Sequence, residues 1–368
     1  MNKKLIALAV AGALVAPAAV SAADAEVYGK ARVSFGITSN GAEGSNVSDS
    51  EMTITSHSSR LGVKGSEDLG DGLTVVYQVE GEIDLDDNKD TSLASRDSFV
   101  GLAGGFGTVL LGRHDTPYKL ATKKADVWSD TYGDLDKGGL NSVHNGRVDN
   151  VLAYISPDMG GFTFIGAYVT DIGIGVGTGD DLGTASPEDH QSAISLAVLG
   201  GSGPFSGSVA YQSIDTAGAL AGETNDESAD AIKLGLGYKI SDAASANLVY
   251  EMTTLGDVEQ DNIALTGSFG ISDSTAIKAA FGMRGEQTNA AGDTVDDSEG
   301  TFIALGVTTK LSKTAEVYAL YTSVDNDSSA GFSSAGMMAK LDDGPKAAGD
   351  EPEASAIAVG INVSFSSK

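Results

Sequence analysis

The 368-residue chain contains no cysteine, which excludes zinc fingers, disulfide scaffolds and thiol nucleophiles. Basic residues are scarce, 23 Lys and Arg against 51 Asp and Glu for a formal charge of −28, so nucleic acid is not an expected partner. Beyond the first two dozen residues no apolar run approaches the ~18 residues that a membrane-crossing helix needs. Sustained helical periodicity is missing too. A mean hydropathy near zero with 20% charged residues excludes a helical membrane bundle. It leaves room for a membrane barrel, in which apolar and polar side chains alternate.

Residues 1–23 read MNKKLIALAVAGALVAPAAVSAA: two lysines, an apolar run over 5–20, then small residues. This is the layout of a secretory signal peptide, with cleavage expected after Ala22, Ala23 or Ala25. Residues 24–368 form the mature unit, destined for export from a bacterial cytoplasm.

The mature segment alternates with period two. Val27, Gly29, Ala31, Val33, Phe35 and Ile37 share one face of a strand, and Tyr28, Lys30, Arg32, Ser34 and Gly36 the other. The pattern returns over 73–83, 246–252, 263–269, 277–283 and 357–365. Sixteen strands are expected, near 27–37, 52–65, 73–84, 96–104, 107–113, 147–156, 162–170, 191–199, 205–214, 230–240, 245–255, 261–270, 275–286, 300–311, 315–324 and 355–365. Short polar turns and long Gly- and Asp-rich segments are expected to alternate strictly between them. A soluble sandwich or propeller would also show period two, but would bury large interlocking residues where this face is often Gly, Ala or Thr. The fold expected is all-β: a 16-stranded antiparallel transmembrane barrel with short periplasmic turns and long extracellular loops.

Several strings resemble the general porins of Gram-negative outer membranes: EVYGKARVSFG (26–36), SSRLGVKGSEDLGDGLTVVYQVE (58–80), RDSFVGLAGGFGTVLLGRHDTPY (96–118) and RVDNVLAYISPDMGGFTF (147–164). The resemblance implies a homotrimer in the outer membrane, in contact with its lipid and lipopolysaccharide, passing ions and small hydrophilic solutes without a cofactor. It also implies that the long segment 113–146 folds inward as a constriction; otherwise it would simply be an exposed loop. Carried over residue by residue, the basic side of that constriction is Lys30, Arg60, Arg96 and Arg147. The acidic side is Glu80 with the loop residues Asp126, Asp130, Asp134 and Asp136. Any one of these could instead be a solvated surface charge or a rim salt bridge. The family ends in an aromatic residue, whereas here Phe365 is followed by Ser366, Ser367 and Lys368.

Segments 171–190, 215–230 and 286–299 hold fifteen acids and no Lys or Arg. They predict a mild cation preference, and carboxylates suited to Ca²⁺ or Mg²⁺ bridging to lipopolysaccharide. Other signals fall away. The run 84–90 has Lys89 where a calcium loop needs Gly, the glycines of 173–179 precede no helix, and the four histidines lack metal-ligand spacing. No catalytic arrangement is evident. A solute-specific channel with a lumenal binding track, and an adhesin or enzyme built on a barrel, remain as alternatives.

Overall fold

The computed structural model describes residues 25–41, 50–87, 93–138, 144–170, 192–215, 228–289, 291–326 and 353–368. The expected signal segment 1–23 lies outside them. Alternation along the chain becomes alternation across a wall. On β1 (Glu26–Gly41), Val27, Phe35 and Ile37 are exposed outward, whereas Ser34 and Thr38 are buried inward.

The wall continues through β2 (Ser50–Ser56), β3 (Arg60–Gly70), β4 (Leu73–Glu82), β5 (Ser98–Gly104), β6 (Gly107–Asp115), β7 (Arg147–Ile155), β8 (Phe162–Val169), β9 (Ala193–Ser202), β10 (Phe205–Asp215), β11 (Ser228–Lys239), β12 (Ala244–Leu255), β13 (Val258–Gly270) and β14 (Thr275–Arg284). A two-residue hairpin, β15 (Gln287–Thr288) with β16 (Thr294–Val295), precedes β17 (Gly300–Lys310), β18 (Ala315–Asn326) and β19 (Glu353–Ser366). All wall pairings are antiparallel, and β19 pairs with β1 from Tyr28↔Ser366 to Gly41↔Glu353, closing the cylinder. Both β2 and β3 pair with β1 as two pieces of one wall strand. Setting the β15–β16 hairpin aside, the barrel has sixteen strands.

Two details depart from the sequence expectation. The strand expected over 52–65 is broken at Ser58, whose φ of 53° turns the backbone between β2 and β3. In addition, β12 and β13 meet in a two-residue turn, Gly256-Asp257, at the end where a long loop was due. These strands run 12 and 13 residues, so the projection there is extended hairpin rather than loop. At the opposite end the turns use the chemistry their residues suggest. Gly70, Asp71 and Gly72 take positive φ between β3 and β4. Ser272 and Ser312 each accept two backbone N–H groups from the residues that follow them.

The small residues lie only partly where the sequence reading put them: Ala279 is exposed outward between Ile277 and Phe281, but many others face inward. The lipid side carries Phe35, Met52, Val100, Leu111, Phe205, Leu236, Phe281 and Ile357. Buried alanines instead line the lumen: Ala264, Ala280, Ala304, Ala354, Ala356 and Ala358 form one cluster, and Ala197, Ala210 and Ala231 another. They are small because the segment between β6 and β7 packs on them from inside.

Candidate functional site

That segment leaves β6 through Thr116, whose hydroxyl accepts from the Lys119 backbone N–H at 3.2 Å and caps α1 (Pro117–Thr122), with Pro117 opening the helix. Beyond α1 the chain satisfies its own backbone inside the barrel. Asp126 Oδ1 accepts from Trp128 N at 2.9 Å, Asp134 accepts from Asp130 N at 2.7 Å and Asp136 N at 3.1 Å, and Thr131 Oγ1 donates to the Trp128 carbonyl. Asp130 itself adopts φ 56°, which a short polar side chain tolerates. A one-turn helix, α2 (Leu135–Gly138), follows.

The loop is held by residues on widely separated strands. Trp128, Tyr132 and Leu135 are almost wholly buried against the alanine cluster, with Trp128 edge-on to Tyr318 at 6.3 Å and the Lys278 ammonium 5.4 Å from its ring. The Tyr132 hydroxyl meets Thr53 and Thr55, and its ring lies edge-on to His57 at 4.7 Å. On the other side, Tyr118 N donates to Ser195 Oγ at 3.0 Å, and Thr266 Oγ1 donates to the Ala125 carbonyl.

Where the loop approaches β1 and β3, charge accumulates. Asp130 pairs with Arg32 and, at 2.6 Å, with Arg60. Glu80 accepts from Arg96 Nε at 2.8 Å and from the Tyr28 hydroxyl at 2.8 Å, and lies 3.9 Å from Arg60. Arg96 also reaches Glu82 at 3.0 Å. Lys30 is the register partner of Arg60 and has no ion pair among the described residues. A second group joins Arg147 to Asp97 at 2.7 Å and to Asp115 at 2.9 Å, with Lys119 and Lys123 closing on Asp115.

The structure therefore gathers Lys30, Arg60, Arg96, Glu80 and Asp130, and sets Arg147 in an adjoining group. Glu80 stands among the arginines rather than across from them. Asp126, Asp134 and Asp136 fold the loop: the carboxyls of Asp126 and Asp134 face loop backbone. Burial, reinforced by Asp134 and Asp136, pushes the Asp126 carboxyl well above its usual range. Burial also raises Asp136. Arg32 was passed over, although period two had already placed it on the face of Lys30. Tyr118, Lys233 and Glu251 were missed as well. The available signal was a lysine in mid-strand, on a face that carries Ala229 and Ala231 before it and Gly235 and Gly237 after it.

Burial lowers the His144 imidazole to about 4 where the loop returns to the wall. No group of three or more His, Cys, Asp or Glu suited to a metal ion occurs among the described residues, and most of the acidic segments expected to hold one lie outside them.

A closed sixteen-stranded barrel with an apolar exterior and a charged lumen is the construction of an outer-membrane channel. The Gram-negative porin profile matches residues 7–329, and the chain belongs to that family, whose members reside in the outer membrane. Outer membrane porin protein 32 of Delftia acidovorans is 29% identical over 333 residues, covering 86% of this chain and 88% of that protein. The structure titled "Anion-selective porin from Comamonas acidovorans" has 25% identity and a TM-score of 0.72, covering 93% of this chain and all of that one. OmpT of Vibrio cholerae shares the fold at 19% identity, with a TM-score of 0.65 over 95% of this chain and all of that one.

Proposed function

We propose that the chain is a passive diffusion channel for ions and small hydrophilic solutes, narrowed by the segment 113–146 and selective at the charged wall beside Asp130. We further propose that it works as a homotrimer in contact with lipopolysaccharide, a reading supported by the family resemblance. A barrel of sixteen strands is too wide for its own side chains to fill, so selection requires an obstruction. A packed inward loop supplies one.

The mild cation preference expected from the acidic outer segments finds no support, and an anion preference replaces it. The observation that carries this reading is the composition of the two ion-pair groups. Six cations (Arg32, Arg60, Arg96, Lys119, Lys123 and Arg147) pair with five carboxylates (Glu80, Glu82, Asp97, Asp115 and Asp130), and Lys30, the register partner of Arg60, adds a positive charge beside them. Asp126 and Asp134 turn their carboxyls to loop backbone, and burial shifts Asp126 and Asp136 toward the neutral acid. A fixed positive excess at a neck concentrates anions there. The name of the Comamonas relative agrees with this sign.

Reversal potentials of the purified protein across a KCl gradient test it. The wild type is expected to prefer chloride, and Arg60→Ala and Arg96→Ala to weaken that preference. One charge acting at about 8 Å through water is worth ~0.5 kcal/mol, roughly twofold in relative permeability. Cation preference in the wild type, or no shift in either variant, would refute the assignment.

A further inference from the structure

We propose that Lys233 and Glu251 are positioning residues that fasten both limbs of the inward loop to the wall opposite the arginines and thereby fix the aperture. The proposal rests on the channel reading above.

The two residues are register partners on β11 and β12, their side chains fully buried and 3.3 Å apart. Of their inward neighbours along the strands, Ala231, Gly235 and Val249 offer no polar side chain, and the Thr253 hydroxyl donates to the Gln260 carbonyl. The outgoing limb lays Tyr118 against both. Its hydroxyl donates to Glu251 Oε1 at 2.7 Å, and its ring centroid lies 4.1 Å from Lys233 Nζ. The returning limb reaches the same ammonium, since Lys233 Nζ donates to Asn145 Oδ1. Beside it, Gln212 Nε2 donates to the His144 carbonyl at 3.2 Å, and the Tyr118 and His144 rings are 5.5 Å apart. The second oxygen of Glu251 accepts from Asn262 at 3.1 Å.

A buried ion pair adds little stability over a well-packed apolar pair, because desolvation offsets the attraction. Its effect here is directional. Each carboxylate oxygen is engaged, and the ammonium is shared between Glu251, Asn145 and the face of Tyr118. Sliding the loop by a fraction of a residue breaks several charge-assisted contacts together, whereas a purely alanine wall would hold it in many registers. Entry and exit of the loop converge on one lysine, so its loss frees both ends.

Planar-bilayer recordings and hydrogen exchange of residues 116–136 in the full-length protein test the latch. Tyr118→Phe keeps the ring and removes only the hydrogen bond to Glu251. It is expected to lower the closure voltage and to speed exchange in the loop. Glu251→Gln and Lys233→Met are expected to replace one conductance level by several. The double variant Lys233→Met/Glu251→Leu is expected to keep the thermal resistance of the barrel while losing the single level, which separates positioning from stabilisation. Wild-type conductance, closure voltage and exchange in Tyr118→Phe and the double variant would overturn the proposal, as would changes that merely track the melting temperature. A wild type that forms no channel would instead remove the channel reading, and the exchange arm would still decide the latch.

Discussion

Trp128 is the single tryptophan of the chain, and it packs on the wall beside Gly306 and Tyr318. A methyl group on Gly306 would come within 2.8 Å of the indole and 2.2 Å of the Ala319 carbonyl, so glycine is required at that position. Trp128→Ala should cost about 3–5 kcal/mol of loop docking, the range for emptying a large aromatic site. Gly306→Ala should displace the indole at a cost of about 1–3 kcal/mol. Because no other indole contributes, the emission maximum reports this contact directly. A red shift is expected for Gly306→Ala, and an unshifted spectrum would show that the indole does not bear on the wall. At this scale the sequence was legible for charges carried by strands, since alternation assigns their face. It was opaque for Trp128, Tyr118 and Glu251, whose partners lie far away in sequence and meet only once the cylinder closes.

The inward loop is an element with its own stability. Its core is an aromatic-on-alanine contact, its turns are closed by Asp126, Asp134 and Thr131, and its return is tied near His144. In docked form the His144 imidazole titrates near 4, below the ~6.5 of an exposed histidine. The docked state therefore binds the proton more weakly than the released state. The His144 contribution to docking is fully present above about pH 6.5 and is lost as pH falls toward 4. Conductance noise is expected to rise through that window, and His144→Gln to flatten the dependence; an unchanged acid response in the variant would exclude His144 as its source. Strands were readable as elements because two-residue alternation is local and strong. The break at Ser58 and the short β12–β13 turn were not, because each depends on where neighbouring strands end.

On the scale of the whole molecule, the sixteen strands, the polarity of the two faces and the family were all legible from residue pattern. The inward course of segment 113–146 was expected from the family resemblance, but the face on which the alanines lie was not legible, because alanine reads equally well as a lipid-facing or a loop-facing residue until a partner is placed on it. The last strand holds the cylinder together: β19 pairs along its length with both β1 and β18, and Ser367 N donates to the Val27 carbonyl at 2.9 Å just beyond. Deleting residues 353–368 leaves two unpaired edges in hydrocarbon, where each unsatisfied backbone group costs several kcal/mol. Such a truncated chain should yield no heat-resistant β-structure in detergent by circular dichroism, whereas removal of residues 367–368 alone should spare it.

The seam between β1 and β19 also governs timing. The earliest wall segment to be synthesised has its partner in the latest, so the polypeptide cannot complete its hydrogen-bonding circuit while any of it is still being made. Until the last strand is present, the edge of β1 that faces it has no partner and stays open to association with another chain.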